Sequence, residues 1–209
     1  MFSWLFERIL DRMAIDMGKR LSEMTLEELW QLFPIFLTEH RECWAEWYAE
    51  EEALLRGLLG SGFLVDHIGS TAVKGIWAKP IVDILMEFPD QDALDRGKKV
   101  LKEAGYICMA DGGARVDFNK GYTEEGFAER VFHLHLRLMG DHDELYFRDY
   151  LNTHPDAAKE YEALKLGLWK QYEHDRDEYT RQKTTFVAEI TARAKKAGID
   201  AKGKGDFCV

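Results

Sequence analysis

The hydrophobic positions of this chain follow two periods, one typical of helices and one typical of strands. Near both ends, apolar residues recur three and four positions apart with charged residues between them, which predicts amphipathic helices. The predicted helices cover residues 1–22, 25–33, 40–59, 90–104, 145–152, 156–171 and 175–197. Short apolar or alternating runs predict the strands, which begin near residue 65 and cover residues 81–88, 106–109, 115–120 and 127–139. This order of elements predicts an α+β fold, in which helices flank a mixed β-sheet.

Local signals mark several of the predicted element ends. Thr25 and Glu28 have the spacing of a capping box, and Pro34 ends the short helix that they begin. The long helix over residues 40–59 is predicted to end at Gly60, because glycine adopts the left-handed conformation that is common at helix C-termini. Residues 121–126 are predicted to form a hairpin loop, since their glycines permit a reversal of the chain.

The two ends of the chain are predicted to lie outside the folded domain of residues 23–197. Residues 1–22 are predicted to form a helical extension, whose early acidic residues exclude a signal peptide and a membrane span. This helix either packs on the domain or pairs with a second subunit as a homo-oligomer. Residues 198–209 are small, charged and without a pattern, which predicts a flexible tail.

Composition narrows the classes of function. Hydrophobic residues make up 46% of the chain, enough for a sizeable core without cross-links. The formal net charge of −10 argues against nucleic-acid binding, but a local cluster of lysine and arginine can still hold a small anion. The three cysteines are far apart and odd in number, so we expect neither disulfides nor a zinc knuckle, and a reducing, cytoplasmic setting.

A carboxylate stands inside an apolar strand near the centre of the chain. The strand that begins near residue 65 ends at Gly69 and Ser70, and Asp83 interrupts the apolar run of residues 81–88. Burying a lone carboxylate is costly, so we expect Asp83 to face an open groove and to meet a metal ion or a basic side chain there. The Gly-Ser turn beside it offers backbone N–H groups and a hydroxyl to a phosphate.

Two histidines are predicted to share this groove. His133 and His135 lie two positions apart in the strand over residues 127–139, so they point to the same face, whereas Phe132 and Leu134 point to the other. The two histidines are either half of a metal site or a hydrogen-bonded pair.

Short motifs in this part of the chain carry a resemblance to a known family. They are H-I-G-S-T-A-V at residues 67–73, A-K-P-I at residues 78–81 and D-I-L at residues 83–85. They resemble the signature of the GrpB family, and further motifs extend the resemblance over residues 24–197. The resemblance implies a nucleotidyltransferase-like fold, in which the Gly-Ser turn holds a polyphosphate and an Asp-x-Asp pair holds divalent metal. Asp83 matches the second acid of that pair, but Ile81 stands at the first, so this strand alone does not supply a two-metal site.

Candidate site residues follow from the motifs and from the resemblance. Asp83 and His135 are the candidate catalytic residues. The candidate contacts to a nucleotide or other phosphorylated small molecule are Gly69, Ser70, Thr71, Lys79, Lys120, Arg130 and Arg148. The candidate metal ligands are Asp83, Glu87, Asp117, His133 and His135. Mg²⁺ is expected if acids dominate the site, and Mn²⁺ or zinc if histidines do. The structural alternative is an ion pair of Asp83 with Lys79 or Arg130.

Two functions remain open, beside a structural alternative in which the N-terminal helix and the helix over residues 40–59 form an interaction surface. In the first, the protein is a metal-dependent enzyme that moves a nucleoside monophosphate from a nucleoside triphosphate to a small acceptor. In the second, it is a non-catalytic protein that binds a nucleotide or phosphometabolite, keeping the fold without the full acid pair. The isoleucine at position 81 favours the second function, and the remaining motifs favour the first.

Overall fold

The computed structural model describes residues 19–199. Most of the predicted N-terminal helix and most of the predicted tail lie outside these residues, so the extension, the tail and the homo-oligomer surface stay predictions. Residues 19–20 are irregular, and Leu21–Glu23 form a single 3₁₀ turn rather than the end of an α-helix. Within the described part of the chain, no helix is long and apolar enough to cross a membrane.

A mixed β-sheet of five strands forms the centre of the described fold. Its strands are β1 (Leu64–Ile68), β2 (Val82–Phe88), β3 (Ile107–Asp111), β4 (Arg115–Thr123) and β5 (Gly126–Leu138). Their spatial order is β1-β2-β5-β4-β3. The central pair of β2 and β5 is parallel, and the other pairs are antiparallel. The predicted α+β fold with a mixed sheet is confirmed.

Six α-helices flank the sheet within residues 19–199. They are α1 (Leu26–Leu32), α2 (Cys43–Leu59), α3 (Gln91–Glu103), α4 (Asp143–Thr153), α5 (Pro155–Gln171) and α6 (Arg176–Lys196). The capping box is complete, because the backbone N–H of Glu28 donates to Thr25 Oγ1 at 3.3 Å and that of Thr25 donates to the Glu28 carboxylate at 2.7 Å. The side chains of Asp90 and Asp175 accept backbone N–H groups at the starts of α3 and α6.

Strand alternation gives the sheet one apolar face and one mixed face. The apolar face packs against α2 and α3 in a cluster that includes Trp44, Leu55, Val82, Ile84, Met86, Leu94, Leu101, Phe132, Leu134 and Leu136. The residues between these strand positions, among them Asp83, His133 and His135, point to the opposite face. Helices α4, α5 and α6 pack with one another next to that face. The polar side chains of the central strands therefore lie between the sheet and the C-terminal helices.

β4 continues beyond its predicted end. Its pairing with β5 shifts register between Lys120 and Tyr122, and Gly121 occupies the bulge. Gly121 has a φ of +89°, and a Cβ there would lie 2.3 Å from the carbonyl oxygen of Arg130. Because glycine absorbs the extra residue, the predicted loop over residues 121–126 is instead two strand ends joined by a tight turn.

We predict that Gly121→Ala destabilises the fold more than Gly113→Ala does. Both glycines have a positive φ, but nothing lies within 4 Å of a Cβ built at Gly113, so that variant bears only the backbone cost. We expect a loss of about 1 kcal/mol for Gly113→Ala and of about 3 kcal/mol for Gly121→Ala in urea unfolding. Equal losses would show that the strand relaxes around the new methyl group without cost.

Candidate functional site

A cavity of about 400 Å³ opens between the mixed face of the sheet and the C-terminal helices. The sheet contributes Asp83, His133 and His135, and the turn after β1 contributes Gly69 and Ser70. Further polar groups come from the loop before β2 and from the helices, namely Lys79, Glu144, Tyr161, Lys165, Tyr179 and Lys183. The structure therefore brings the strand carboxylate, both histidines and the Gly-Ser turn to one cavity.

The parallel pairing of β2 with β5 brings the acid and the two histidines together. Asp83 is the register partner of His133, and His135 follows two residues later on the same face. Asp83 Oδ1 lies 3.2 Å from His133 Nδ1 and 3.6 Å from His135 Nε2. The two imidazole rings are nearly perpendicular, with centroids 6.4 Å apart. One carboxylate oxygen is thus shared by two imidazoles.

His135 is held between two carboxylates. Its Nδ1 donates to Asp117 Oδ1 at 2.9 Å, while its Nε2 faces Asp83. Burial lowers the pKa of His135, but the two carboxylates outweigh burial and raise that pKa to about 9. Burial raises the pKa of Asp117, but His135 and Arg137, which donates to the same oxygen at 3.0 Å, lower it to about 2. His135 is therefore an imidazolium at neutral pH, with an ionised acid on each side.

A different set of contacts holds His133. Its Nδ1 faces Asp83, and its Nε2 lies 2.8 Å from the hydroxyl of Tyr122. Burial lowers the pKa of His133, although Asp83 opposes this shift, so the ring is neutral at pH 7. Because an ionised carboxylate only accepts, the single ring proton is on Nδ1 and Nε2 accepts from Tyr122. Arg176 Nη1 in turn donates to the Tyr122 oxygen at 2.9 Å.

Asp83 remains ionised in this setting. Burial raises the pKa of its carboxyl, but the contacts with His133 and His135 outweigh burial and hold that pKa well below its ordinary value. Within residues 19–199, its ion pairs are to these histidines, so the alternative of a pair with Lys79 or Arg130 is wrong. The side chain is 27% exposed, which leaves it accessible from the cavity.

The geometry of these three side chains fits one metal ion. Asp83, His133 and His135 offer one carboxylate oxygen and two ring nitrogens that lie within 4.8 Å of one another. Two ligands about 2.1 Å from one ion are about 3.0 to 3.4 Å apart in octahedral or tetrahedral geometry. The observed separations of 3.2 and 3.6 Å from Asp83 Oδ1 are close to these values. Asp117 supplies the outer hydrogen bond that metal-binding histidines make in proteins.

The Gly-Ser turn touches the carboxylate directly. Gly69 has a φ of +71°, and a Cβ there would lie 2.2 Å from Asp83 Oδ2, so glycine is required on both counts. Ser70 lines the cavity. Thr71 is only 3% exposed, and its hydroxyl donates to the carbonyl oxygen of Ile81 at 3.2 Å. Thr71 ties the turn to the start of β2 and is not among the residues that line the cavity, so its hydroxyl is engaged within the protein and its expected contact with phosphate stays a prediction.

Three lysines approach the cavity from different elements. Lys79 precedes β2, Lys165 lies on α5 and Lys183 lies on α6. Burial lowers the pKa of all three, to about 7 for Lys165 and about 8 for Lys183, and repulsion from neighbouring cations adds to the effect. The Tyr179 ring lies 5.5 Å from the Lys79 ammonium and 4.5 Å from that of Lys183. An anionic ligand would favour the charged form of each lysine, so this wall of the cavity suits an anion.

Three predicted phosphate contacts are occupied elsewhere. Lys120, Arg130 and Arg148 are not among the residues that line the cavity. Their carboxylate partners are Glu51 for Lys120, Glu50 for Arg130, and Asp66 and Asp149 for Arg148. Lys120 pairs in register with Phe132, and Arg130 precedes Phe132 by two residues, so both point to the side of the sheet that packs on α2. Arg148 joins α4 to β1, since it also donates to the carbonyl oxygen of His67 at 2.9 Å.

Two predicted metal ligands also lie outside the cluster. Glu87 shares the strand face of Asp83, but four residues along a strand span about 13 Å. Its buried carboxylate pairs instead with His142 at 2.9 Å. Asp117 contacts the cluster only through His135 Nδ1, so it orients a candidate ligand and is not one itself.

The residues of α6 that form one wall of the cavity were not identified from the sequence. On α6, Tyr179, Lys183, Val187 and Thr191 recur every fourth residue and all line the cavity. A lysine between residues that recur every fourth position on one helix face is comparable to an aspartate inside an apolar strand. This spacing could have identified Lys183 as a candidate site residue. Glu144 on α4 also lines the cavity, and its Oε2 is buried without a hydrogen-bond partner among residues 19–199.

We predict that in the metal-free protein His135 titrates with a pKa of about 9 and His133 below its ordinary range. NMR titration of the ring C–H signals measures both. Asp117→Asn should lower the pKa of His135, because it removes a charge that stabilises the imidazolium, whereas Asp149→Asn should not change it. Since folding raises this pKa from 6.5, His135 stabilises the fold fully below pH 6.5, and the contribution is lost as the pH rises through about 9. A His135 that titrates near 6.5 would contradict the two-carboxylate arrangement.

Comparison with known proteins identifies the family. The family model described as GrpB protein matches residues 34–193. The glutamate-rich protein GrpB of Alkalihalophilus pseudofirmus is 34% identical over 164 residues, which cover 75% of this chain and 93% of that protein. A UPF0157 protein of Pseudomonas aeruginosa is 39% identical over 152 residues, 71% of this chain but only 62% of that protein. The crystal structure of conserved protein GrpB from Enterococcus faecalis matches with a TM-score of 0.68 and 30% identity, covering 79% of this chain and 100% of that one. The resemblance found in the sequence is confirmed, and this chain belongs to the GrpB family.

Proposed function

We propose that this protein binds a nucleotide, or a similar phosphorylated small molecule, together with a divalent metal ion, and transfers a nucleoside monophosphate to a small acceptor. The observation that supports this function most is the presence, in one cavity, of a candidate metal cluster and three lysines. A polyphosphate requires both, since its oxygens are neutralised partly by metal and partly by basic side chains.

The metal cluster has a defined task in this proposal. Asp83, His133 and His135 would hold the ion, with His135 losing its Nε2 proton on binding, and the charge of the ion would stabilise the phosphate oxygens near the reacting phosphorus. Asp117 and Tyr122 fix the orientations of the two imidazole rings. Two nitrogen ligands and one carboxylate suit Mn²⁺ better than Mg²⁺, which prefers oxygen ligands.

Residues on the other walls of the cavity would neutralise or hydrogen-bond the remaining phosphate oxygens. Ser70 offers a hydroxyl and a backbone N–H, in a turn that glycine holds against Asp83. Lys79, Lys165 and Lys183 add ammonium groups.

Glu144 is the candidate general base. It lines the cavity, and its Oε2 is a buried acceptor without a partner among residues 19–199. An acceptor hydroxyl would donate to this oxygen and lose its proton to it as the hydroxyl oxygen attacks the α-phosphorus. The bond from that phosphorus to the bridging oxygen breaks, and pyrophosphate leaves with the electron pair.

A second candidate function is binding without catalysis. Ile81, 5% exposed, lines the cavity where the family resemblance implies the first acid of a metal-binding pair. The cluster therefore has one carboxylate rather than two. A site with one metal position can hold a phosphorylated ligand even if it does not activate an acceptor.

We predict that Mn²⁺ and tripolyphosphate bind together in calorimetry, and that each part of the cavity contributes. Asp83→Asn should weaken Mn²⁺ binding at least about tenfold, because a neutral amide replaces the only carboxylate of the cluster. Lys183→Met should weaken tripolyphosphate binding about tenfold.

Two variants serve as matched controls for that measurement. Asp95→Asn removes an exposed carboxylate on α3, and Lys196→Met removes an exposed lysine on α6. If these controls lose as much affinity as Asp83→Asn and Lys183→Met, binding does not take place in the cavity. If tripolyphosphate does not bind at millimolar concentration, both candidate functions are wrong.

Catalysis is tested separately through Glu144. We predict that wild-type protein releases pyrophosphate from a nucleoside triphosphate in the presence of Mn²⁺ and a suitable hydroxyl acceptor. Glu144→Gln should reduce this rate about 100-fold or more without weakening tripolyphosphate binding, because the amide cannot accept the proton and the lost negative charge does not oppose an anion. Binding without any pyrophosphate release across a panel of acceptors would favour the second function.

A further inference from the structure

A second, smaller cavity of about 140 Å³ adjoins the first. Three aromatic side chains line it: Phe36, Trp47 from α2 and Phe127 from β5. Lys79 and Ile81 line both cavities, so ligands in the two spaces would contact the same two side chains. One molecule with a planar part and a charged part could therefore occupy both.

Arg176 is one of the charged side chains that line the small cavity, together with Arg41, Lys79 and Glu129. Its Nη1 donates to the hydroxyl of Tyr122 at 2.9 Å, and its guanidinium carbon lies 5.6 Å from the ring centroids of Tyr122 and Phe127. These contacts fix the orientation of the guanidinium. Its Nη2, however, is buried and has no hydrogen-bond partner among residues 19–199. Because buried donors are rarely left unpaired, this nitrogen indicates a ligand that brings an acceptor such as a carbonyl oxygen.

The size of the small cavity selects one six-membered ring. An apolar cavity of about 150 Å³ accommodates benzene, and this cavity has a volume of about 140 Å³. A pyrimidine base fills this space, whereas the second ring of a purine would extend out of it, beyond the aromatic side chains. The pyrimidine bases also carry ring carbonyl oxygens for Arg176 and flat faces for the aromatic walls.

We propose that the small cavity binds the pyrimidine base of the nucleotide whose phosphates bind in the large cavity. This inference rests on the proposed function and names its substrate class as pyrimidine nucleoside triphosphates. The base stacks on Trp47 and Phe127, and a ring carbonyl accepts from Arg176 Nη2. The sugar and phosphates pass Lys79 toward Asp83.

Calorimetry with the full chain and Mn²⁺ compares UTP, CTP, ATP and tripolyphosphate. We expect UTP or CTP to bind about tenfold or more tightly than tripolyphosphate, which is the worth of stacking one base on an aromatic side chain. ATP should gain little over tripolyphosphate. Trp47→Ala and Arg176→Lys should remove most of the advantage of UTP and CTP and leave tripolyphosphate affinity within about twofold. The lysine keeps one charged donor for Tyr122 but lacks the second guanidinium nitrogen.

Trp169→Ala is the matched control, because Trp169 lies on α5 and is not among the described residues that line either cavity. Phe36→Ala tests the same aromatic wall if Trp47→Ala does not fold, since Phe36 is 37% exposed. If tripolyphosphate binds, and UTP, CTP and ATP bind with equal affinities, this inference is wrong and the proposed function stands. ATP binding as tightly as UTP would also overturn it. If none of the four ligands binds, the proposed function and the inference both fail.

Discussion

The site depends on the ionised carboxylate of Asp83, which lies on β2 and faces two histidines of the parallel strand β5. Its Oδ1 is shared by a charged imidazole and a neutral one that donates, and these contacts offset the cost of its burial. The register of β2 and β5 sets this arrangement, because His133 is the direct partner of Asp83. A slip of one residue would bring Phe132 and Leu134 to the acid and the histidines into the core. Core packing and charge pairing therefore select the same register from opposite faces of the sheet.

The two histidines differ in the ring nitrogen that faces Asp83, in their outer partners and in their charge. The carboxylates of Asp117 and Asp83 keep His135 protonated, whereas burial lowers the pKa of His133, whose Nε2 has the hydroxyl of Tyr122 as its partner. The charges of Asp83 and His135 then cancel, and the lysines of the opposite walls, whose pKa values burial lowers, face the cavity together with Asp143 and Glu144. The net charge of −10 does not oppose an anion here, since exposed acids beyond about 10 Å are screened by salt.

Most of what could be predicted about the site from the sequence came from the two-residue alternation of side chains along the strands. Two-residue alternation was enough to place Asp83, His133 and His135 on one face, and the same rule applied to Arg130 would have placed it on the other. Alternation specifies a face but not a position along it, which is why Glu87 was assigned to a cluster about 13 Å away. Contacts between distant segments were beyond this reasoning. The pairing of Lys120 with Glu51 depends on how α2 crosses the sheet, and no local pattern encodes that crossing.

The isoleucine at position 81 lines both the large cavity, which holds the candidate metal cluster, and the small aromatic cavity. A carboxylate there would lie on the wall that both cavities share, next to Lys79, and Arg176 lines the smaller cavity beyond that wall. It would add a negative charge beside Lys79 and reduce the positive charge available to a ligand. Isoleucine keeps this part of the shared wall apolar, and the two histidines of the neighbouring strand place their ring nitrogens near Asp83. With an apolar residue at position 81, Asp83 is the carboxylate that this segment of the chain contributes to the large cavity.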